Sequence, residues 1–253
     1  MPRERIELRS ADEVARIRDA CAIVRDVLAE VAEAVEPGVT TGEIDRLAEA
    51  LTEARGAKPA FKGYHGYPAV LCISLNDEVV HGIPSPGRRL RSGDIVGLDF
   101  GVVYRGWFGD SAVTVPVGKI SASARRLLDT TREALGAGID AVRPDGRLGD
   151  VGAAVQRHVE AKGYSVVRDF VGHGIGRKLH EPPQVPNFGA PRSGPRLRPG
   201  MVLAIEPMVN AGGPDVRVLG DGWTAVTVDG SLSAHFEHTV AVTEDGPAVL
   251  TCS

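Results

Sequence analysis

Two stretches of this chain read as copies of one another, and that repetition constrains the fold more than any single motif. Residues 34–44, AVEPGVTTGEI, align without a gap on residues 141–151, AVRPDGRLGDV, at an offset of 107. The same offset lays RSGDIVGLD (91–99) on RPGMVLAIE (198–206), with Gly93 on Gly200 and Asp99 on Glu206. Farther along, GDSAVTV (109–115) resembles FEHTVAV (236–242) and sets Asp110 against Glu237 at an offset of 127. The second copy therefore carries an insertion, centred near 221–223. Self-similarity in this order marks two structurally equivalent halves, each too small to bury its own apolar face well. We expect one domain over 1–253, with halves at about 10–117 and 118–245.

Local patterns agree with the repeat. Ser10-x-x-Glu13 is a capping box, followed by Val14, Ile17, Cys21, Val24, Leu28 and Val31 at helical spacing. Pro37-Gly38 ends that helix, and Thr40-x-x-Glu43 opens another to about 54. Leu127, Leu128, Thr131, Leu135 and Ile139 repeat the signal, broken by Pro144, and 151–161 gives a fourth helix. Strand-like runs with Gly/Pro punctuation follow each helix pair, at 69–80, 94–103 and 108–117, then at 164–171, 201–209, 216–220, 223–228 and 235–243. Helices first and strands later, twice over, predicts an α+β fold with largely antiparallel pairing.

Composition excludes several classes. With 29 Lys+Arg against 33 Asp+Glu the chain has no basic excess to drive nucleic-acid binding. No apolar run approaches the ~20 residues of a membrane helix, and the charged N-terminal stretch is unlike a secretory signal. Cys21, Cys72 and Cys252 are far apart and odd in number, which predicts neither a disulfide framework nor a thiolate metal site, and a reducing, cytoplasmic home.

The chemistry sits in the most apolar strands. IVGLDF holds Asp99, FGDSAVTV holds Asp110, and the repeat places Glu206 in MVLAIEPMV and Glu237 in HFEHTVAV. A hairpin turning at 104–105 would set Asp99 directly opposite Asp110, Cβ atoms about 5 Å apart, where like charges repel. Four carboxylates converging on the seam between the halves would be costly to bury without counter-charge. A pair of divalent cations would neutralise them, and oxygen-rich ligation with a little imidazole suits Mn, Fe, Co or Zn. Paired ions of that kind lower the pKa of a shared water and polarise a carbonyl, which makes a hydrolytic device. Imidazoles are available from His173 in the glycine-rich turn GHGIG, from His180 in LHEPP and from His81 in VVHGIP.

Taken together, YHGYP (64–68), CISLNDEVVHGIP (72–84), GDIVGLDFG with GDSAVTV, GHGIG with LHEPP, LAIEPM (203–208) and FEHTV (236–240) resemble the type I methionine aminopeptidases in their short bacterial form. The resemblance runs from about 6 to about 251. It implies the pita-bread metallopeptidase fold, two pseudo-symmetric halves around a curved sheet, and hydrolytic removal of initiator methionine from nascent proteins when the second residue is small. It implies two divalent ions held by Asp99, Asp110, His173, Glu206 and Glu237, with Asp110 and Glu237 shared, Asp99 on one ion and His173 with Glu206 on the other. Glu206 would be the general base, His180 would steady the tetrahedral intermediate, and His81 would assist departure of the amine. Tyr64, His65, Tyr67, Cys72 and Trp223 would line the methionine pocket. The role further implies a cytoplasmic monomer in transient contact with the ribosome, and, since Pro2 is small, a chain that processes its own initiator.

Three positions depart from the family pattern. Leu179 stands where Phe is frequent, Phe61 where a smaller residue is usual, and His235 where Gln is frequent. His235 would lie on the strand face of Glu237 and hydrogen-bond behind the ligands rather than among them. Two other readings compete: an Xaa-Pro aminopeptidase, which carries an extra N-terminal domain for which the ten or so residues before the first helix leave no room, and a catalytically silent binding relative, in which metal ligands are usually lost.

Overall fold

Capping chemistry sets the helix starts. In the computed structural model, which describes residues 5–252, the Ser10 hydroxyl accepts from the Glu13 N–H while the Glu13 carboxylate accepts from the Ser10 N–H, opening α1 (Ala11–Glu33). Thr40 and Glu43 do the same for α2 (Thr41–Ala54). Both boxes satisfy N–H groups that a first turn leaves free. Ser121 caps α3 (Ala122–Asp140). For α4 (Leu148–Ala161) only the reciprocal half of the box is made, Asp150 accepting from the Arg147 N–H at 2.8 Å. Because arginine is not a capping residue type, the sequence masks this start, and α4 begins at Leu148 rather than the expected 151. Met1 and Pro2, invoked above for self-processing, lie outside the described residues.

The repeat is visible in the backbone. Thr40 bridges Arg89 as Arg147 bridges Arg196, a shift of 107 at each end. The Gly38 N–H donates to Leu90 O and the Asp145 N–H to Leu197 O, at 2.9 and 3.1 Å. Thr41 N–H to Arg88 O is matched by Leu148 N–H to Pro195 O, at 2.8 and 2.9 Å. Left-handed backbone recurs too, at Gly93 (φ 105°) and Gly200 (φ 92°).

A nine-stranded sheet joins the halves, and every strand pair among the described residues is antiparallel. Its order is Lys58–Pro59, Ile95–Tyr104, Trp107–Pro116, Glu237–Thr243, Val202–Ile205, Gly172–Gly174, Glu181–Val185, with Cys72–Leu75 also on Ile95–Tyr104 and Gly246–Val249 also on Glu237–Thr243. The first half meets the second where Trp107–Pro116 pairs with Glu237–Thr243. The expected run 69–80 is two strands, Cys72–Leu75 and Glu78–Val80, parted by Asn76 at φ 56°. The expected run 164–171 shrinks to Ser165–Val166.

One register differs from expectation. Asp99 faces Ala112, and Asp110 faces Gly101. The turn is Arg105-Gly106, both left-handed (φ 51° and 80°), one residue later than 104–105. Two adjacent positive φ values give the turn whose twist matches a hairpin, and Gly106 supplies one of them without strain. The two aspartates are thus diagonal rather than opposed, on the same face.

The insertion does not stay with its own half. Val216–Val218 and Ala225–Thr227 form a hairpin whose inner strand pairs with Glu78–Val80 of the first half. A third small sheet joins Ser165–Val166, Met208–Asn210 and Ser233–His235.

Each helix pair covers its own half. α1 buries Ile17, Ala20, Cys21, Val24, Val27, Leu28 and Val31 against the 95–116 hairpin, and α3 buries Leu127, Leu128, Thr131, Ala134, Leu135 and Ile139 against the second half's strands. No helix among the described residues is long and apolar enough to cross a membrane. The sheet comes close to the α1 backbone at Gly109, where a Cβ would stand 2.7 Å from Cys21 N and 2.9 Å from Ala20 C. Backbone cannot yield as a side chain can, so we expect Gly109→Ala to push α1 off the sheet and cost about 2 kcal/mol or more, read as a lowered midpoint in urea denaturation.

Candidate metal centre and substrate cleft

Acidic side chains gather where the two halves are sewn together. Asp110 and Glu237 lie on adjacent strands, with Glu237 opposite Ala112. The Ser111 hydroxyl donates to Glu237 O at 2.6 Å, and the Thr239 hydroxyl donates to Asp110 O at 2.7 Å while accepting from Asp110 N–H at 3.3 Å. These bonds satisfy the main chain and leave the carboxylates free. Asp99 Oδ1, Asp110 Oδ1 and Glu237 Oε1 are buried without any hydrogen-bond partner.

His173 faces this cluster because its neighbours are glycine. A Cβ at position 172 would lie 2.3 Å from Ala204 O, and one at 174 would lie 2.3 Å from Pro182 O. Placing the proton on Nδ1, which is 2.9 Å from Gly174 O, leaves the Nε2 lone pair 3.6 Å from Glu206 Oε1 and 3.8 Å from Asp110 Oδ2. Donor atoms of Asp110, His173 and Glu237 all fall within 4.8 Å of one another. Glu206 follows the Val202–Ile205 strand, its main-chain oxygen held by the Asn187 amide at 3.0 Å.

Burial dominates the electrostatics. It raises the Asp99 carboxyl to about 7. Asp110, Glu206 and Glu237 are pushed well above the carboxylate range, first by burial and then by one another and Asp99. Burial lowers His173 to about 3, with His180 adding to it, and lowers His81 to about 4, again with His180. A divalent cation's charge would reverse the reluctance of these acids to ionise, and a neutral imidazole is already in the form that ligates one. The donor set, oxygen-rich with one imidazole, fits such an ion.

Above the cluster lies a cavity of about 420 Å³. Asp99, Asp110, His173 and Glu206 form its floor, His81 and His180 flank it, and Tyr64, His65, Tyr67, Cys72 and Trp223 line it, joined by Phe61 and Leu179. Glu237 does not reach the cavity wall but lies buried behind Asp110. The Tyr67 hydroxyl meets both Leu71 O and Gly82 O at 2.9 Å, tying the pocket loop to the His81 segment. Asp221 accepts from the N–H groups of Trp223 and Thr224 at 2.8 and 2.9 Å, which presents the indole edge-on to Tyr67 with centroids 5.1 Å apart. The Tyr64 hydroxyl is 2.8 Å from His180 Nδ1.

His235 is placed differently from expectation. It ends the Ser233–His235 strand, whereas Glu237 begins another in the large sheet, so the two do not share a strand face. Its Nε2 is buried, lies 3.9 Å from Glu206 Oε2 and has no hydrogen-bond partner, so the expected bond behind the ligands is not made. Sequence reasoning also passed over Phe170, whose ring stands edge-on to His81 at 5.3 Å, and the Ser111 and Thr239 hydroxyls. Each lies within a strand-like run and carries no local signal of its own.

Residues 15–244 match the profile of metallopeptidase family M24. The chain is similar to a methionine aminopeptidase of Clostridium perfringens, 52% identical over 97% of this chain and 98% of that one, and to methionine aminopeptidase 1 of Bacillus subtilis, 49% identical over 94% and 96%. Among solved structures, a methionine aminopeptidase from Thermotoga maritima superposes with a TM-score of 0.97 at 46% identity, covering 98% of this chain and all of that one. A prolidase from Pyrococcus horikoshii shares the fold at a TM-score of 0.79, but at 24% identity, with 97% of this chain covering only 63% of that one.

The shifted groups predict how the metal-free protein responds to pH. Carboxyls whose folded pKa is raised hold extra protons when folded, so their contribution to stability falls as pH rises above their ordinary value of about 4, levelling off for Asp99 past its folded value of about 7 and continuing for Asp110, Glu206 and Glu237. The buried histidines, lowered to about 3 and 4, withdraw stability as pH falls below their ordinary value of about 6.5. We expect thermal midpoints of the stripped protein to fall as pH rises above about 6.5, and saturating Mn to flatten this alkaline limb selectively. An alkaline limb unchanged by Mn would place the cation elsewhere.

Proposed function

The chain belongs to metallopeptidase family M24, within it to the methionine aminopeptidases, and from that premise we propose how its own residues divide the release of an N-terminal methionine. One observation supports the reading above the others: unpartnered buried acids surround a neutral imidazole at the floor of a cavity walled by aromatic and apolar side chains. Asp99, Asp110, His173, Glu206 and Glu237 would hold two divalent ions. When bound, such ions supply Lewis acidity toward the scissile carbonyl and a lowered pKa for water. Their identity, whether Co, Mn, Fe or Zn, follows from availability more than from this ligand set.

The remaining steps belong to side chains. Phe61, Tyr64, Tyr67, Cys72, Leu179 and Trp223, with His65 at the edge, exclude water around a methionine side chain and orient it. Glu206, whose carboxyl borders the cavity, would accept and return the proton as general base. With the Tyr64 hydroxyl donating to Nδ1, His180 presents Nε2–H to oxygen charge that develops on the scissile carbonyl. His81, neutral in its buried setting beside Phe170, stands ready to assist the leaving amine.

A preference for small second residues on nascent chains is proposed from the same membership. The domain is proposed to act as one catalytic unit over both halves, as a cytoplasmic monomer. We propose a transient ribosome contact from the role itself, with Arg89 and Arg91 mirrored by Arg196 and Arg198 in the second half.

Metal-stripped protein should release methionine from Met-Ala-Ser only after Mn, Co, Fe or Zn is restored; silence with every ion, despite stoichiometric binding, would overturn the hydrolase reading. Glu206→Gln should lower turnover by at least about 10²-fold and weaken metal binding, since a base and a ligand charge go together. His81→Ala should lower turnover by about 10²-fold with metal content intact, and loss of the ions instead would make His81 a ligand.

A further inference from the structure

Glu181 follows His180 directly and is 10% exposed in its side chain, paired with Arg9, whose side chain is 8% exposed. Arg9 comes from the segment before α1. Its main-chain N–H donates to Gly200 O at 2.7 Å. Its guanidinium occupies the space beneath Gly176, where a Cβ would stand 2.6 Å from Nη2, and lies 5.6 Å from the Trp107 ring centroid. The other oxygen of Glu181 accepts from the N–H groups of Arg177 and Lys178 at 2.7 and 3.0 Å. One carboxylate therefore closes the turn between His173 and His180 and fastens it to the N-terminal segment. Glu181 also pairs across the sheet with Gly174, at the register shift beside His173.

We infer that Arg9 is a positioning residue for His180, acting through Glu181. His180 is exposed, and the one hydrogen bond its ring makes among the described residues is to Tyr64. Its aim into the cleft is therefore set by the backbone of the turn that Glu181 closes. Arginine suits the position because its fork can meet a carboxylate while its flat face rests against an indole, which a lysine ammonium cannot do. Removing Arg9 leaves a buried carboxylate without its counter-charge, and the carboxylate would swing toward water and release the turn. The inference rests on the proposed catalytic role of His180.

The test compares Arg9→Met, Arg9→Lys, Glu181→Gln and the Arg9→Met/Glu181→Gln double variant as Mn-loaded protein, on Met-Ala-Ser, with hydrogen exchange followed over 175–181. Arg9→Met should lower kcat about tenfold or more, since a misplacement of 1 Å can cost more than that. KM should stay within about twofold and Mn content should be unchanged. Exchange at the 177–181 amides should quicken, Arg9→Lys should recover part of the loss, and the double variant should be no worse than Arg9→Met alone. Wild-type kcat and exchange in Arg9→Met, or a kcat loss that only tracks lost Mn, would overturn the inference. His180→Ala run in parallel separates the two ideas: retained turnover there defeats the catalytic role, whereas the exchange data judge the Arg9 strut by themselves. Should Arg9→Met fail to fold, Glu181→Gln carries the same kinetic and exchange test, and normal values in it defeat the strut.

Discussion

Like charges held together away from water are the constraint around which this molecule is arranged. Asp99, Asp110 and Glu237 occupy sheet positions that would ordinarily be apolar, Glu206 directly follows a buried strand, and among the described residues no lysine or arginine pairs with any of them. An ionised carboxylate in such a place costs several kcal/mol unless something compensates it. The main chain is held against that repulsion, because Ser111 and Thr239 bond it across the seam and Glu237–Thr243 pairs with a strand on either side. The scaffold thus holds acids that resist ionising, and a divalent ion bound there would displace their protons and supply the missing counter-charge.

Symmetry explains how such a cluster can be built, and its breakage explains selectivity. Two halves with the same turns and bridges bring equivalent acids to a common seam, Asp99 answering Glu206 and Asp110 answering Glu237. A symmetric cleft would have no preferred end. The insertion carrying Trp223 closes one side, its ring edge-on to Tyr67, and gives the cavity an aromatic wall there.

Much of this was legible in the sequence because it is local or repeated. The capping boxes at Ser10 and Thr40 and the 3.6 spacing after them read directly as α1 and α2, and the repeat aligned the acids before any strand was placed. What escaped is either conformational or long-range. The hairpin register depends on Arg105 adopting left-handed backbone, which arginine seldom signals, so sequence pattern alone centres the turn one residue early and sets Asp99 opposite Asp110 rather than Ala112. His235 looked like part of the Glu237 strand because nothing at Phe236 announces a change of sheet. Arg9 and Glu181 are far apart in the chain, and no periodicity connects them.

The insertion hairpin has a consequence for how the chain reaches its final form. Ala225 supplies the partner for Val80, so a strand of the first half is completed by a segment more than half the chain away. Contacts of that separation form late, because the loop they close must be ordered first. The N-terminal half can therefore collapse around its own helices while the wall bearing Trp223 is still missing. Affinity for the side chain to be removed would be the last property acquired, and an incompletely folded molecule would hold its acids without a pocket to direct them.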